Sequence, residues 1–481
     1  MRQPARSPRQ RLPAALITLM TGLCAVAAAQ ELPVSVARVL SEQRIPAAAV
    51  GIMVSASESR SDRLAVDPDT PRNPASTIKL LTTLAGLETL GPDYTWPTEV
   101  YATGRARKGR LNGDLILKGY GDPFLVTESF WKLLRAVHDR GIREIAGNLV
   151  LDRSYFAPVP GEPGDFDGES YRAYNALPDA LALNFQTTVL ELVPEPGADA
   201  VRLIASPPQA NLRLENRLRL VQGPCSWRHW QPQIDLSGSG LQTLAVVRGD
   251  YSVNCEEAAL PRLLASPDAL MDGVFRSLWS ELGGKLEGRL TVAETPPDAT
   301  LVYRSESRPL AELIRGMNKF SNNLMTRQLF LTLGAERFGA PATEDKGRRA
   351  MAEWLAKHGL TVQGLNVVNG AGLSRETRIT ARDLASILSV GAQSELAPEF
   401  LASLPIVATD GTMRKRLEGE PLARHARIKT GSIDDVSSMA GYVRARSGRQ
   451  YLVVMLINQP GLQAWRGKLA QDALLRWVYD D

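Results

Sequence analysis

Hydrophobic and polar positions fall into three textures along the chain. Ala47 to Val54 is a continuous apolar run of strand length, followed by the polar stretch Ser55 to Arg63, the pattern of a buried strand entering a hairpin. Asn73-Pro74-Ala75-Ser76 then leads into residues 77–90, which are apolar around most of a helical circumference and end at Gly91-Pro92. Pro near the start and Gly-Pro at the end bracket a helix, and its all-round apolarity places it in the middle of a domain.

From about Tyr94 to Pro297 the pattern changes to short alternating strands. A Gly-interrupted alternation recurs at residues 109–117, 142–151 and 284–292. Each copy reads as one bent or bulged strand, and the echo is too irregularly spaced for a solenoid. Past Pro297 helical periodicity returns at 310–333, 346–358 and 380–390. Strand-like pieces follow at 426–431, 439–445 and 451–457, with Ser447-Gly448 as a turn, and the chain closes on an amphipathic stretch at 462–478.

The length of 481 residues suggests two to four domains, and 44% hydrophobic with 22% charged residues is globular composition. Charge changes the picture through its distribution. Arg2, Arg6, Arg9 and Arg11 stand in a stretch without acids, so from residue 30 onward 52 basic residues face 52 acidic ones. That balance argues against a nucleic-acid binder or a basic membrane-surface protein. The arginines precede the apolar run Ala14 to Ala29, which ends in Ala27-Ala28-Ala29: a secretory signal peptide spanning 1–29, cleaved after Ala29. Its rival, an uncleaved anchor, needs roughly 20 apolar residues, and no later segment has an apolar stretch long enough to span a bilayer.

Export would remove Cys24 and leave Cys225 and Cys255 in an oxidising compartment, where one disulfide is the natural reading and two buried free thiols the alternative. Two isolated cysteines and four scattered histidines show no metal-ligand spacing.

Three short motifs carry chemistry: Ser76-Thr77-Ile78-Lys79, Ser321-Asn322-Asn323 and Lys429-Thr430-Gly431. Ser76 sits at the first turn of the buried helix, where free backbone N–H groups favour developing negative charge, and Lys79 shares its face. A serine becomes a nucleophile when a neutral base takes its proton, so Lys79 has to be uncharged. Burial, and Lys429 if it is near, would lower its pKa. Ser321 and Asn323 are placed on a helical stretch from Met317 to Leu333, and Lys429 to Gly431 on a strand whose backbone can pair with an extended peptide. Taken singly, each motif has a bland alternative: a helix cap with a solvated lysine, a polar helix face, a strand end. A Ser-His-Asp triad built on His425 lacks a Gly-x-Ser-x-Gly elbow.

The ordered triple motif resembles the penicillin-binding proteins and serine β-lactamases. In detail the chain resembles the low-molecular-mass class C penicillin-binding proteins, which are D-alanyl-D-alanine carboxypeptidases/endopeptidases. Gly121-Asp122-Pro123, Tyr174 to Leu181, Asp410-Gly411-Thr412, and Lys429-Thr430-Gly431-Ser432 followed by Ala440-Gly441-Tyr442 extend the match, and 245 residues between Ser76 and Ser321 fit that group's large insertion. The resemblance implies an α/β fold of α+β type: a penicilloyl-transferase, serine β-lactamase-like domain from 30–96 and 299–481, with a five-stranded antiparallel sheet flanked by helices. A β-rich domain at 97–190 and 243–298 would be inserted, with a third nested at 191–242.

The same resemblance implies a serine DD-peptidase of peptidoglycan, a D-Ala-D-Ala carboxypeptidase and/or D-Ala-meso-diaminopimelate endopeptidase in the periplasm. Ser76 would be the acylated nucleophile, Lys79 the general base and Ser321 the proton relay. The backbone N–H groups of Ser76 and Ser432 would form the oxyanion hole, while Asn323, Lys429, Thr430 and Ser432 would bind substrate. Expected partners are peptidoglycan stem peptides and, as covalent inhibitors, β-lactams; no nucleic acid is expected. The chemistry requires no metal or organic cofactor. A β-lactamase is the rival enzyme, but no Glu-x-x-x-Asn element lies between Ser321 and Lys429. A catalytically idle muropeptide-binding protein is the rival outside enzymes, and it would have no use for a nucleophile with a neutral base.

Overall fold

A computed structural model describes residues 1, 31–58, 61–195, 197, 199–226, 232–362 and 364–481. The signal peptide expected over 1–29 lies outside the described residues, Met1 excepted. Among the described residues no helix is long and apolar enough to cross a membrane.

The apolar runs at 50–56, 436–444 and 450–458 are continuous because they are covered on both faces. They form the centre of a five-stranded antiparallel sheet in the order Ala426–Ile433, Val436–Arg444, Gln450–Asn458, Val50–Ala56, Asp62–Val66. Alternation sorts their side chains between two cores. Ile52, Val54, Val453 and Met455 face the N-terminal helix Val34–Glu42 and the C-terminal helix Ala464–Tyr479. Met53, Leu452, Val454 and Leu456 face the helix Lys79–Leu90 and those around it. Lys79–Leu90 is buried from Lys79 through Leu87, as its all-round apolarity predicts.

The periodicity running through 310–333 divides into two helices, Leu310–Lys319 and Asn323–Phe338. Ser321 lies between them with φ +57°, and the Asn322 side chain caps the second helix by accepting from the Met325 N–H. Ser321 is therefore not on a helix, as expected from the sequence, but at a strained corner.

The inserted part leaves and rejoins through an antiparallel pair, Pro97–Ala102 against Thr300–Glu306. It carries two helices that the strand-like texture did not suggest, Thr127–Asp139 and Pro267–Glu281. The three Gly-interrupted echoes are also not single bent strands. Each splits into two short strands in different sheets, and the copies stack in parallel: Leu111 beside Ile145 beside Leu286, then Leu115 beside Leu149 beside Leu290. Glycine stands at each corner for lack of room. A Cβ on Gly147 would lie 2.5 Å from the Gly113 carbonyl oxygen, and one on Gly288 would lie 2.1 Å from that of Gly147.

Farther out, two three-stranded sheets span 188–262 around Leu190, Val201, Val247 and Tyr251. The Cys225–Cys255 disulfide closes this region, as the two-cysteine count suggested.

Candidate active site

The segment 153–187 folds back from the insertion onto the helix Asn323–Phe338. Leu324, Gln328, Leu331 and Ala335 form one stripe of that helix facing it. The Gln328 amide donates to the Asp179 carbonyl at 2.8 Å and accepts from the Asp179 N–H at 3.2 Å. The opposite side of the helix, through Met325, Leu329 and Leu333, packs in the core with Lys79–Leu90. The first turn of the helix is thus fixed from both sides, and it carries Asn323.

The three motifs meet here. Ser76 lies in a 3₁₀ turn, Ala75–Ile78, that runs directly into Lys79–Leu90; the preceding Ala75 has φ +43°. Lys79 is completely buried, its Nζ 2.9 Å from Ser76 Oγ, 2.7 Å from Asn323 Oδ1 and 2.5 Å from the Ala371 carbonyl oxygen. Two of these partners can only accept, and the third is a hydroxyl. A neutral amine satisfies the set by donating to Asn323 and Ala371 while its lone pair receives the Ser76 proton. Burial first, and the nearby Lys429 second, push the Lys79 pKa well below that of free lysine.

Lys429 is also fully buried and donates to Ser321 Oγ at 2.8 Å and to the Thr430 carbonyl at 2.7 Å. Burial alone lowers its pKa to about 7, so near neutral pH the free protein holds it only partly charged. An arriving carboxylate would restore that charge.

Ala426–Ile433 is the edge strand of its sheet, paired along its length with Val436–Arg444 and met on its outer side by one isolated bridge, Arg427 to Ile406. The N–H of Ile428 points off that edge to the Pro405 carbonyl at 2.8 Å. Antiparallel alternation then turns the N–H groups of Thr430 and Ser432 the same way, toward the cleft. Gly431 permits the close approach of this strand to Ser76, since a Cβ there would lie 2.8 Å from the Ser76 nitrogen and 2.7 Å from the Pro74 oxygen. Ser76, Ser321, Thr430 and Ser432 line a common cleft of about 370 Å³.

Three participants were not singled out as site residues. The Ala371 carbonyl reaches Lys79 from the loop Asn369 to Gly372, where Asn369 Oδ1 accepts from the Ala371 and Gly372 N–H groups. The Tyr174 carbonyl accepts from Asn323 Nδ2 at 3.0 Å, so Asn323 ties the segment around Tyr174 to Lys79. Thr412 Oγ1 lies 2.8 Å from Thr430 Oγ1; Lys319, bonded to Asp410 and the Leu404 carbonyl, holds its turn. The stretches containing Tyr174 and Thr412 were visible in the sequence, whereas the only signal at Ala371 was a Gly on either side.

The chain is similar to known proteins along most of its length. The chain is 28% identical over 441 residues to a D-alanyl-D-alanine carboxypeptidase of Actinomadura sp. (strain R39), covering 89% of this chain and 81% of the relative. It is 25% identical over 386 residues to the D-alanyl-D-alanine carboxypeptidase DacB of Haemophilus influenzae, 80% of each chain. The crystal structure of penicillin binding protein 4 (dacB) from Haemophilus influenzae superimposes with a TM-score of 0.77 at 24% identity, over 93% of this chain and 100% of that one. Residues 32–480 match the family described as D-Ala-D-Ala carboxypeptidase 3 (S13), and the chain belongs to that family.

Proposed function

We propose that this protein is a serine DD-peptidase that cleaves D-Ala-D-Ala or D-Ala-meso-diaminopimelate bonds of peptidoglycan through an acyl-enzyme on Ser76. The observation that carries the reading is the buried Lys79 amine 2.9 Å from Ser76 Oγ, its other two partners both acceptors. Neutral Lys79 takes the Ser76 proton as Oγ attacks the carbonyl carbon of the penultimate D-alanine. The Ser76 and Ser432 N–H groups stabilise the oxyanion. When the C–N bond breaks, the proton that Lys79 took passes through Ser321, which Lys429 orients, to the leaving amine and leaves Lys79 neutral again. Water, with its proton again taken by Lys79, then hydrolyses the ester and restores Ser76.

Lys429, Thr430 and Ser432 bind the carboxylate of the leaving residue. Asn323 positions Lys79 and contacts the substrate backbone. A β-lactam forms the same ester and leaves it slowly, as the family's chemistry implies. Such substrates lie outside the cytoplasm; we place the mature protein in the periplasm, delivered by cleavage after Ala29. The strand pair joining Pro97–Ala102 to Thr300–Glu306 supports a catalytic unit of 30–96 and 299–481 with an inserted part, and the 188–262 sheets support a nested domain near 191–242.

Incubation with penicillin followed by intact mass measurement and peptide mapping tests the reading. A slowly released adduct on the Ser76 peptide is expected, together with release of D-alanine or cleavage of a cross-link from muropeptides. An adduct elsewhere, or rapid turnover of penicillin without muropeptide cleavage, would overturn it.

A further inference from the structure

The echoes at 109–117, 142–151 and 284–292 stack in parallel, and the last has no fourth copy beside it: Lys285–Leu286 and Leu290–Val292 are the outer strands of their sheets. The inner side of Leu290–Val292 is satisfied, with the Leu149 N–H donating to the Arg289 carbonyl at 3.1 Å and the Ala293 N–H to the Leu151 carbonyl at 3.2 Å. Alternation along the strand therefore turns the N–H and C=O groups of Leu290 and Val292 outward. Such an edge invites another strand. Over 285–289 it is blocked, because Lys285, Glu287 and Arg289 are exposed charges and the Arg276 guanidinium donates to the Gly288 carbonyl at 2.9 Å. Over 290–293 no charged residue stands, and Val292 is 55% exposed.

This bare stretch borders a cavity of about 930 Å³ that shares no lining residue with the Ser76 cleft. A second sheet edge, Gln233–Ser239, forms another part of its wall, with Leu236 44% exposed, and Phe156, Val159, Leu177 and Leu263 add apolar lining. Among the described residues the one cation in the wall, Arg153, is already engaged by Asp179 at 3.2 Å and Asp268 at 2.5 Å. Glu162 and Glu294 stand exposed at the cavity, and among the described residues no cation pairs with either. We propose that this cavity is a docking groove for an extended, apolar segment of a partner protein flanked by Lys or Arg, which adds as a strand to Leu290–Val292. Its apolar side chains enter the cavity, and its cations meet Glu162 and Glu294. Charge decides between occupants. A muropeptide brings carboxylates, and a second copy of this chain would set its own Glu162 and Glu294 against these, so both are disfavoured.

The probe is a fluorescein-labelled, end-capped peptide, Lys-Thr-Val-Thr-Val-Thr-Lys, titrated into the full-length mature protein and followed by anisotropy. Saturable binding is expected. Glu162→Gln with Glu294→Gln removes two exposed charges, each typically worth up to about a fivefold effect, and should weaken binding about tenfold and flatten its salt dependence. Val292→Pro removes one outward N–H and no bond to the neighbouring strand, and should also weaken binding about tenfold. In the unaltered protein, N-methylating the valines or the threonines of the probe should abolish binding for one set and spare it for the other, since a strand pairs through alternate residues. Thermal unfolding and penicillin acylation should match wild type in both variants. No binding to wild type, equal binding of a probe with glutamate in place of lysine, equal sensitivity to both methylations, or binding unchanged in both variants would overturn the groove. So would displacement of the probe by a muropeptide, or a dimer of this chain that Val292→Pro dissolves, because the occupant would then be another.

Discussion

The catalytic unit and the inserted rungs solve opposite problems. Around Ser76, polar groups are drawn from four distant parts of the chain and packed where water does not reach: Lys79 and Lys429 are fully buried, and each polar hydrogen has to find an acceptor. In the insertion, three similar segments repeat the same short strands, with glycine at each corner and charged residues such as Arg110, Glu144 and Glu287 paired on the exposed side. One region gains specific chemistry at the cost of desolvating cations. The other gains a scaffold whose side-chain demands are light except at the corners. Substitutions in the first should therefore change rates, and substitutions in the second stability.

The largest contrast comes from Ser76→Ala. Penicillin labelling and muropeptide cleavage should both vanish while thermal unfolding stays near wild type, as intact mass and a melting curve will show; labelling at the normal rate would place the nucleophile elsewhere.

Next is pH. The proposed mechanism needs neutral Lys79, whose pKa is depressed by burial and then by Lys429, so the second-order acylation rate should rise with pH through an ionisation well below that of free lysine. In Lys429→Ala the like charge is gone and the midpoint should move upward, leaving the variant slower on the acid side. An unchanged midpoint would leave burial as the sole cause. For peptide substrates the wild-type kcat/KM should also decline on the alkaline side as Lys429, with a pKa of about 7, loses the charge proposed to hold the carboxylate.

Gly147→Val sharpens the other half of the contrast. The side chain would overlap the Gly113 carbonyl and Asp114, so a loss of about 2–4 kcal/mol in unfolding free energy is expected from denaturant titration. The surviving folded fraction should acylate at close to the normal rate; a specific rate loss would show that corner strain reaches the site.

Smallest in function is loss of the Cys225–Cys255 bridge. Cys225→Ser with Cys255→Ser should cost about 2–4 kcal/mol in the outer sheets and leave acylation unchanged. Proteolysis of the 188–262 region will report the first and penicillin labelling the second.

The sequence made the chemistry more legible than the scaffold. Ser76, Lys79, Ser321 and Lys429, which the structure brings together, could be picked out because the roles proposed for them, a nucleophile, a base and a relay, restrict residue type and order. The corner at Ser321 could not, since apolar spacing runs from Leu310 to Leu333 without a break and the left-handed turn is imposed by packing on both sides. The helix Thr127–Asp139 did carry a helical signal in Phe130, Leu133, Leu134 and Val137, which the surrounding strand texture masked. The three echoes were visible as pattern, but parallel stacking depends on partners up to 177 residues apart, as in the ion pair from Arg110 to Glu287. The Ala371 carbonyl on Lys79 belongs to the same class of information, a backbone atom 292 residues away.

The position of Val50–Ala56 in the sheet has a consequence in time. One of its neighbours is Gln450–Asn458, so Val50 has to wait for Ile457 to be synthesised. The inserted rungs find all their partners between residues 97 and 306 and can close while the ribosome is still working. The first strand has to wait with one edge bare, and long-range closure of this kind is slow. Cutting activity therefore appears only once Gln450–Asn458 has joined the sheet, and a chain truncated before Gln450 becomes an adhesive fragment with an intact insertion and no enzyme.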